Sequence, residues 1–312
     1  MNLFTSARKY PIYPIYGGIQ MNTKNKSKYI VEKTMQGVFF TLGMVTIIAV
    51  VTISAYLILN GLPAIREIGL IEFLFGQVWR STGADPAFGI LPFILTSTYG
   101  MIGAIIIGVP VGLMTAIFLA KVAHPRIATV VNTAVELLAG IPSVVYGFVG
   151  MIVLVPFIQR LFGLASGANL LSAILVLSVM ILPSIISVSR TALVAVPKEY
   201  EEASYALGAT KMETIFKVSV PSARSGITAG VVLGVGRAIG EAMAVMMVAG
   251  NVSNMPELFR PVTFLTTAIT RELSYASGLQ RQALFSIGLV LFCFIMIINI
   301  VLNFALKRGN KS

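Results

Sequence analysis

The sequence predicts an all-α, polytopic membrane protein with six transmembrane helices. Of its 312 residues, 56% are hydrophobic and only 11% are charged, whereas soluble domains carry about 25% charged residues. Uncharged apolar runs of about 18 residues or more, enough to cross a bilayer, recur along the chain. Lysine and arginine concentrate in alternate connecting segments, which is typical of a protein that crosses the membrane several times.

The first 36 residues form a basic, polar N-terminal tail. Residues 1–20 include the run YPIYPIYGG, which favours an extended chain, and Met21 begins a second plausible start. We therefore expect residues 1–20 to be a dispensable extension. No cleavable signal peptide is expected, because the first apolar run begins near residue 37 and is too long for one.

The membrane domain is predicted over residues 37–306, followed by a short tail at 307–312. Residues 60–92 suit an element that lies at the membrane interface. The third span is interrupted, since Gly140 and Pro142 together predict a helix break. The six spans are predicted at 38–59, 93–119, 127–158, 170–188, 227–249 and 284–306.

The distribution of basic residues predicts the orientation. Sixteen lysines and arginines lie in the two tails, in residues 120–126 and in residues 190–225, against six in the alternate connections. This asymmetry places both termini and the 190–225 loop in the cytoplasm of a cell-membrane protein. The net charge of +11 then reflects orientation and contact with anionic lipid, and it requires no nucleic acid.

The longest polar interval after residue 100 runs over 199–221 and separates two apolar spans. Pro197 suits the first turn of a helix, and the glutamates that follow it favour the positive end of the helix dipole. The pattern predicts one helical run that Val220 and Pro221 end, with Gly208 allowing close approach of a partner. Such an interval is either a docking site for a soluble protein or a solvated amphipathic loop.

Three charged residues fall inside predicted spans, where charge is costly and usually functional. Arg237 and Glu241 are spaced i,i+4 in the fifth span, so they are expected to share a helix face and to neutralise each other. An arginine fork suits a tetrahedral oxyanion, and the carboxylate would keep such a site weak. The other interpretation is a structural lock between subunits. Glu136 in the third span either lines a pathway or lies near the cytoplasmic interface of a kinked packing helix.

Composition also argues against catalysis by this chain. It has one histidine and one cysteine, so we do not expect a Cys/His zinc site or a thiol-based catalytic dyad built within this chain. It contains no G-x-x-x-x-G-K-[ST] loop, so ATP hydrolysis is not expected of it. We expect no cofactor or metal in this chain.

A family resemblance rests on three motifs. The polar interval resembles the EAA loop of ABC importer permeases, in which coupling helices dock on the ATP-hydrolysing subunit. The chain also contains the segments ELLAGIPSVVYGF and GRAIGEAMAVMMVAGN, in the order seen in phosphate ABC transporter permeases. It most closely resembles the PstC type of these permeases, over residues 38–307. The positions that align with the EAA pattern are Glu202, Ala203, Ser204, Gly208, Val218, Val220 and Pro221. Three of them, Ser204, Val218 and Val220, depart from the pattern conservatively.

The resemblance implies the MetI-like fold of type I ABC importer permeases and a function in ATP-driven phosphate uptake. The implied partners are a PstA-type permease, two cytoplasmic ATP-binding subunits and an extracytoplasmic phosphate-binding protein. Alternatives are a permease for another oxyanion, such as sulfate or molybdate, and an ion-coupled secondary carrier that uses Arg237, Glu241 and Glu136 as a relay.

Overall fold

The computed structural model describes residues 23–83 and 85–309. The expected extension at residues 1–20 lies outside them. The chain divides into two compact units, residues 1–55 and residues 56–312. The described part of the first unit belongs to helix α1, Thr23–Ile68, and its apolar side chains are exposed, as expected of a helix that meets lipid.

The second unit is almost entirely helical, because long apolar runs must satisfy their backbone polar groups internally in a membrane. A two-stranded antiparallel hairpin, β1 Trp79–Arg80 and β2 Ala87–Phe88, is its one sheet among the described residues. The first half contains α2 Leu70–Phe75, α3 Leu91–Ile117, α4 Pro125–Gly140, α5 Ser143–Val149, α6 Val155–Phe162 and α7 Leu170–Val194. The second half contains α8 Lys198–Ala206, α9 Lys211–Thr214, α10 Val220–Ser222, α11 Arg224–Gly240, α12 Met243–Val248, α13 Leu265–Glu272 and α14 Gly278–Gly309.

Helix α7 is the centre of the second unit and packs between α3 and α11. On the α3 side, a Cβ built on Gly108 would lie 2.6 Å from the side chain of Ile181, and one on Gly112 would lie 2.9 Å from Ile185. On the α11 side, a Cβ on Gly234 would lie 3.0 Å from the same Ile185. Small residues let helices approach closely in membranes, so α3, α7 and α11 form a tightly packed frame.

Five helices are long and apolar enough to span a membrane, and a sixth span is present if Lys211–Ser222 and Arg224–Gly240 are counted as one bent pair. The chain is therefore a multi-pass membrane protein of the predicted class. The five helices are Lys28–Ile68, Leu91–Val122, Ser143–Phe162, Leu170–Val194 and Gly278–Val301.

Two predicted spans are wrong in their limits. The third span, predicted at 127–158, is Ser143–Phe162, and the residues before the break form the separate helix α4. The fifth span, predicted at 227–249, ends at Gly240, and the short helix α12 follows after two non-helical residues. In both places a break within an apolar run divides what periodicity alone reads as one helix.

The interfacial element predicted at 60–92 contains the end of α1, α2 and the β-hairpin. Its side chains pack with the start of α3, α13 and α14 in a core that includes Phe73, Phe93, Leu265 and Leu284, all 0% exposed. The carboxylate of Glu272 accepts hydrogen bonds from the Trp79 indole at 3.3 and 3.4 Å, from Arg271 at 2.8 Å and from Gln280 at 3.3 Å. This carboxylate joins the hairpin to α13 and α14.

Candidate functional site

The polar segment, defined as residues 197–223, folds as two short helical arms joined by a tight turn. The first arm is α8, with Pro197 at its N-cap. The second runs from α9 through the π-helical turn Ile215–Ser219 into α10. Gly208 makes the turn with φ of 85°, a left-handed conformation that favours glycine. The single helical run predicted here is therefore wrong, because Gly208 ends the first arm.

The end predicted at Pro221 is one residue early. Val220 and Pro221 directly follow the π-helical turn, and the helical arm ends at Ser222. The chain changes direction at the next residue, Ala223, where Lys211–Ser222 and Arg224–Gly240 meet at 71°. The polar segment thus connects directly to the inner frame through α11.

A capping box begins the second arm. The Thr210 hydroxyl accepts a hydrogen bond from the Glu213 backbone N–H at 3.3 Å, and the Glu213 carboxylate accepts one from the Thr210 N–H at 3.0 Å. These bonds, together with Lys217, hold the pKa of Glu213 below its usual value. Reciprocal capping gives this short arm a defined start.

A partly buried polar contact attaches α8 to the frame. Lys121 lies in a π-helical turn, Phe118–Val122, that continues α3, and its Nζ is 2.5 Å from Glu201 Oε1. The Ser219 hydroxyl donates to the same oxygen at 2.8 Å. Burial alone would raise the pKa of Glu201, but the hydrogen bonds from Lys121 and Ser219 hold it below its usual value. The carboxylate is therefore charged at neutral pH and links α3 with both arms.

The polar segment carries several large apolar side chains that are exposed. Leu207, at the turn, is 89% exposed. Single exposed apolar residues are ordinary on a protein surface, but a group of them on one short segment marks a contact site. The others are Tyr200, Tyr205, Met212 and Phe216, each exposed.

The residues that match the EAA pattern lie on this segment at different depths. Glu202, Ala203, Gly208 and Pro221 are exposed, and Val218 is partly buried. The Ser204 hydroxyl is partly buried and lies 2.9 Å from the Thr214 hydroxyl, so it joins the two arms. A Cβ on Gly208 would meet nothing within 4 Å, so this glycine serves the turn and not close packing within the chain.

The expected pairing of Arg237 and Glu241 on one helix face is wrong. Helix α11 ends at Gly240, and Glu241 has an extended backbone with ψ of 126°. Its carboxylate accepts a hydrogen bond from the Ala244 N–H at 2.9 Å, so it caps α12 instead of meeting Arg237. Within residues 23–83 and 85–309, Arg237 makes no ion pair with Glu241 or with another carboxylate.

The helix break predicted in the third span is present. Helix α4 ends at Gly140, and Pro142 precedes the first residue of α5. Pro142 has no N–H to donate to the Leu138 carbonyl, which instead accepts hydrogen bonds from the Ile141 N–H at 3.2 Å and from the Tyr146 hydroxyl at 2.7 Å. Glu136, on α4, is exposed and accepts a hydrogen bond from the Asn132 side chain. The structure therefore does not bring Glu136 together with Arg237 in an ion pair.

An apolar cavity of about 690 Å³ lies beside this break, between α3, α5 and α7. Its walls include Ile107, Val149, Phe157 and Val179, with few polar groups. An oxyanion would lose its hydration there without gaining hydrogen bonds, so this cavity is not a site for one.

Sequence reasoning missed Lys121, Glu201 and Ser219, which form the partly buried contact. Glu201 and Lys121 are 80 positions apart, so no local pattern connects them. It also missed the capping box, for which a signal was present: T-K-M-E at 210–213 has the spacing of that motif.

The spans, the break in the third span and the folded polar segment between two spans define a membrane component of a transport system. Residues 108–310 match a family model described as "Binding-protein-dependent transport system inner membrane component". The chain belongs to this family.

Two relatives illustrate the similarity. The chain is 43% identical over 264 residues to the probable ABC transporter permease protein YqgH of Bacillus subtilis, covering 82% of this chain and 85% of that protein. It is 34% identical over 316 residues to the phosphate transport system permease protein PstC of Pasteurella multocida, covering 94% of this chain and 97% of that protein.

Solved structures show the same fold. A chain of the inward-facing MetNI methionine ABC transporter aligns with a TM-score of 0.53 at 20% identity, over 71% of this chain and 94% of that chain. A chain of a bacterial alginate ABC transporter, solved with its alginate-bound periplasmic protein, aligns with a TM-score of 0.62 at 15% identity, over 90% and 98%. The fold is therefore that of MetI-type ABC importer permeases, as predicted.

Proposed function

We propose that this chain is the permease subunit of an ATP-driven phosphate importer. The observation that carries the proposal is a folded polar segment between two spans, with exposed apolar side chains, in a chain similar to phosphate permeases over most of its length. In this proposal the chain forms half of the pathway through the membrane. Phosphate crosses without any covalent change.

The polar segment is the proposed contact with the ATPase. Leu207 and its exposed apolar neighbours offer area that binding would remove from water, and Glu202 offers a charge at the edge. The excess of lysine and arginine in the tails and in residues 190–225 supports a cytoplasmic position for this segment and for both termini. ATP then binds to two partner subunits, and this chain holds no cofactor of its own.

Arg237 is the proposed phosphate-binding residue of the pathway. It is partly buried and has no carboxylate partner among the described residues, so its guanidinium is available to an oxyanion. Glu241 has a revised role, because its cap on α12 fixes the backbone break directly after α11. Glu136 is proposed to lie further along the pathway, beside the break in the third span.

Membership in a binding-protein-dependent transport family supports the remaining proposed partners. A PstA-type permease is proposed to complete the pathway as a heterodimer, and an extracytoplasmic phosphate-binding protein is proposed to deliver phosphate. Alternating access then consists of a shift of the membrane helices between two states, which the ATPase drives by moving the polar segment.

The test is uptake by the purified complex in proteoliposomes. The tagged chain is co-purified with its ATPase and second permease, and uptake of labelled phosphate, sulfate and molybdate is measured with and without ATP. We expect ATP-dependent uptake of phosphate alone, abolished by Arg237→Gln and reduced by Glu241→Gln. Uptake of sulfate or molybdate in place of phosphate would reassign the substrate, and phosphate uptake without the ATPase would identify an ion-coupled carrier.

A further inference from the structure

The attachment of α8 to the rest of the protein is unusual. Helix α8 contains no buried residue, so apolar packing does not hold it in place. The second arm differs, since Ile215 and Ala223 belong to a buried cluster with Ile117 of α3 and Leu193 of α7. The first arm therefore depends on its polar side-chain contacts.

The contact at Glu201 connects α8 to the frame. Both of its donors meet a single oxygen, Oε1: the Lys121 ammonium at 2.5 Å and the Ser219 hydroxyl at 2.8 Å. The side chains of Lys121 and Glu201 are only 12% and 20% exposed, and Ser219 is 0% exposed. A charge-assisted contact that is shielded from water is stronger than an exposed ion pair.

The two donors also lie in unusual backbone. Lys121 is in the π-helical turn that ends α3, and Ser219 closes the π-helical turn that leads to α10 and α11. Single π-helical turns are rare and occur often at functional sites. Glu201 thus joins two such turns, one at the end of α3 and one before α11.

We propose that Glu201 is a positioning residue for energy coupling: its carboxylate ties α8 to the end of α3 and to the π-helical turn that precedes α11, so that movement of the polar segment moves the frame. The inference rests on the proposed function, because it assumes that an ATPase moves this segment. It assigns Lys121 and Ser219 as the two anchors. Without this contact, the polar segment still binds the ATPase, but α8 moves without displacing the frame.

The test compares transport with hydrolysis in the reconstituted complex. Phosphate uptake and ATP hydrolysis are measured in the same vesicles for Glu201→Gln, Lys121→Met and the milder Ser219→Ala. We expect normal recovery of the complex and continued hydrolysis, with phosphate taken up per ATP reduced by about ten-fold, the factor that matches one lost hydrogen bond to a charged group. The matched control is Arg260→Met, which removes an exposed ion pair to Glu257 outside the polar segment and should leave the ratio unchanged.

A crosslink provides the converse test. Lys121→Cys and Glu201→Cys are combined in a Cys293→Ser background and joined by a short bifunctional reagent. We expect a low uptake per ATP before crosslinking and its restoration afterwards.

Three results would overturn the proposal. They are an unchanged ratio in the single variants, a loss of ATPase binding that accounts for their whole defect, and a crosslink that lowers uptake further. The unmodified complex separates this inference from the proposed function. If it imports another anion, the ratio is measured with that anion, and if it imports none, the proposed function has failed and not the tie.

Discussion

The polar segment makes a quantitative prediction at Leu207. This side chain is 89% exposed and lies beside the turn at Gly208, so shortening it removes almost no contact within the chain. Leu207→Ala removes three carbons, and each buried carbon contributes about 0.8 kcal/mol to association. If docking buries the side chain, the variant loses about 2 kcal/mol of binding free energy, which raises the dissociation constant for the ATPase by about 30-fold.

The assay is binding of the purified ATPase subunit to the detergent-solubilised permease, measured by biolayer interferometry. The control is Tyr275→Ala, since Tyr275 is 90% exposed but lies between α13 and α14, away from the polar segment. We expect thermal stability of the permease alone to be the same for both variants. An unchanged dissociation constant for Leu207→Ala, or an equal loss for Tyr275→Ala, would refute the assignment of this face.

Three further predictions concern the fold. Gly208→Val forces a β-branched residue to φ of 85°, which costs about 1–2 kcal/mol, so ATPase binding should weaken while the membrane helices keep their thermal stability. Gly147→Ala places a Cβ 2.7 Å from the backbone of α12 and should destabilise the protein by about 1–3 kcal/mol in thermal unfolding, whereas Gly236→Ala, with nothing within 4 Å, should not. Burial would raise the pKa of Glu272, but hydrogen bonds from its neighbours hold the pKa below the ordinary 4.5. The ionised carboxylate therefore contributes its full stabilisation above about pH 4.5, and this contribution is lost as the pH falls through the lowered pKa. The fluorescence of Trp79, the chain's one tryptophan, should stay constant down to about pH 4.5 and change only below it.

Composition and charge were sufficient to predict the class of fold and the position of the polar segment, whereas the predicted six spans are reached only if the bent pair is counted as one. The break at Gly140 and Pro142 was also predictable, because proline removes a backbone donor and disfavours a helical residue before it. These features depend on local sequence or on hydrophobicity and charge averaged over long segments. Both are available without knowing which segments contact each other in the fold.

The break after Gly240 could not be predicted, because the sequence there has no proline and suits a helix. It depends on a distant residue: the Glu241 carbonyl accepts a hydrogen bond from the Thr266 hydroxyl at 2.8 Å. The Glu241 carboxylate then caps α12 instead of meeting Arg237. Residues spaced i,i+4 share a face only within a continuous helix, and the helix ends between Arg237 and Glu241.

The close packing of α7 against glycine faces on both sides determines where the protein is stiff. Side chains of α7 fill the space that glycines leave open on α3 and α11, so these helices resist sliding past each other and are expected to be displaced together. Bending is then confined to the places where backbone hydrogen bonding is already interrupted, after Gly140 and after Gly240. In the proposed importer, a push delivered at one end of these three helices would therefore be carried along them, and the two interruptions would be the places that bend.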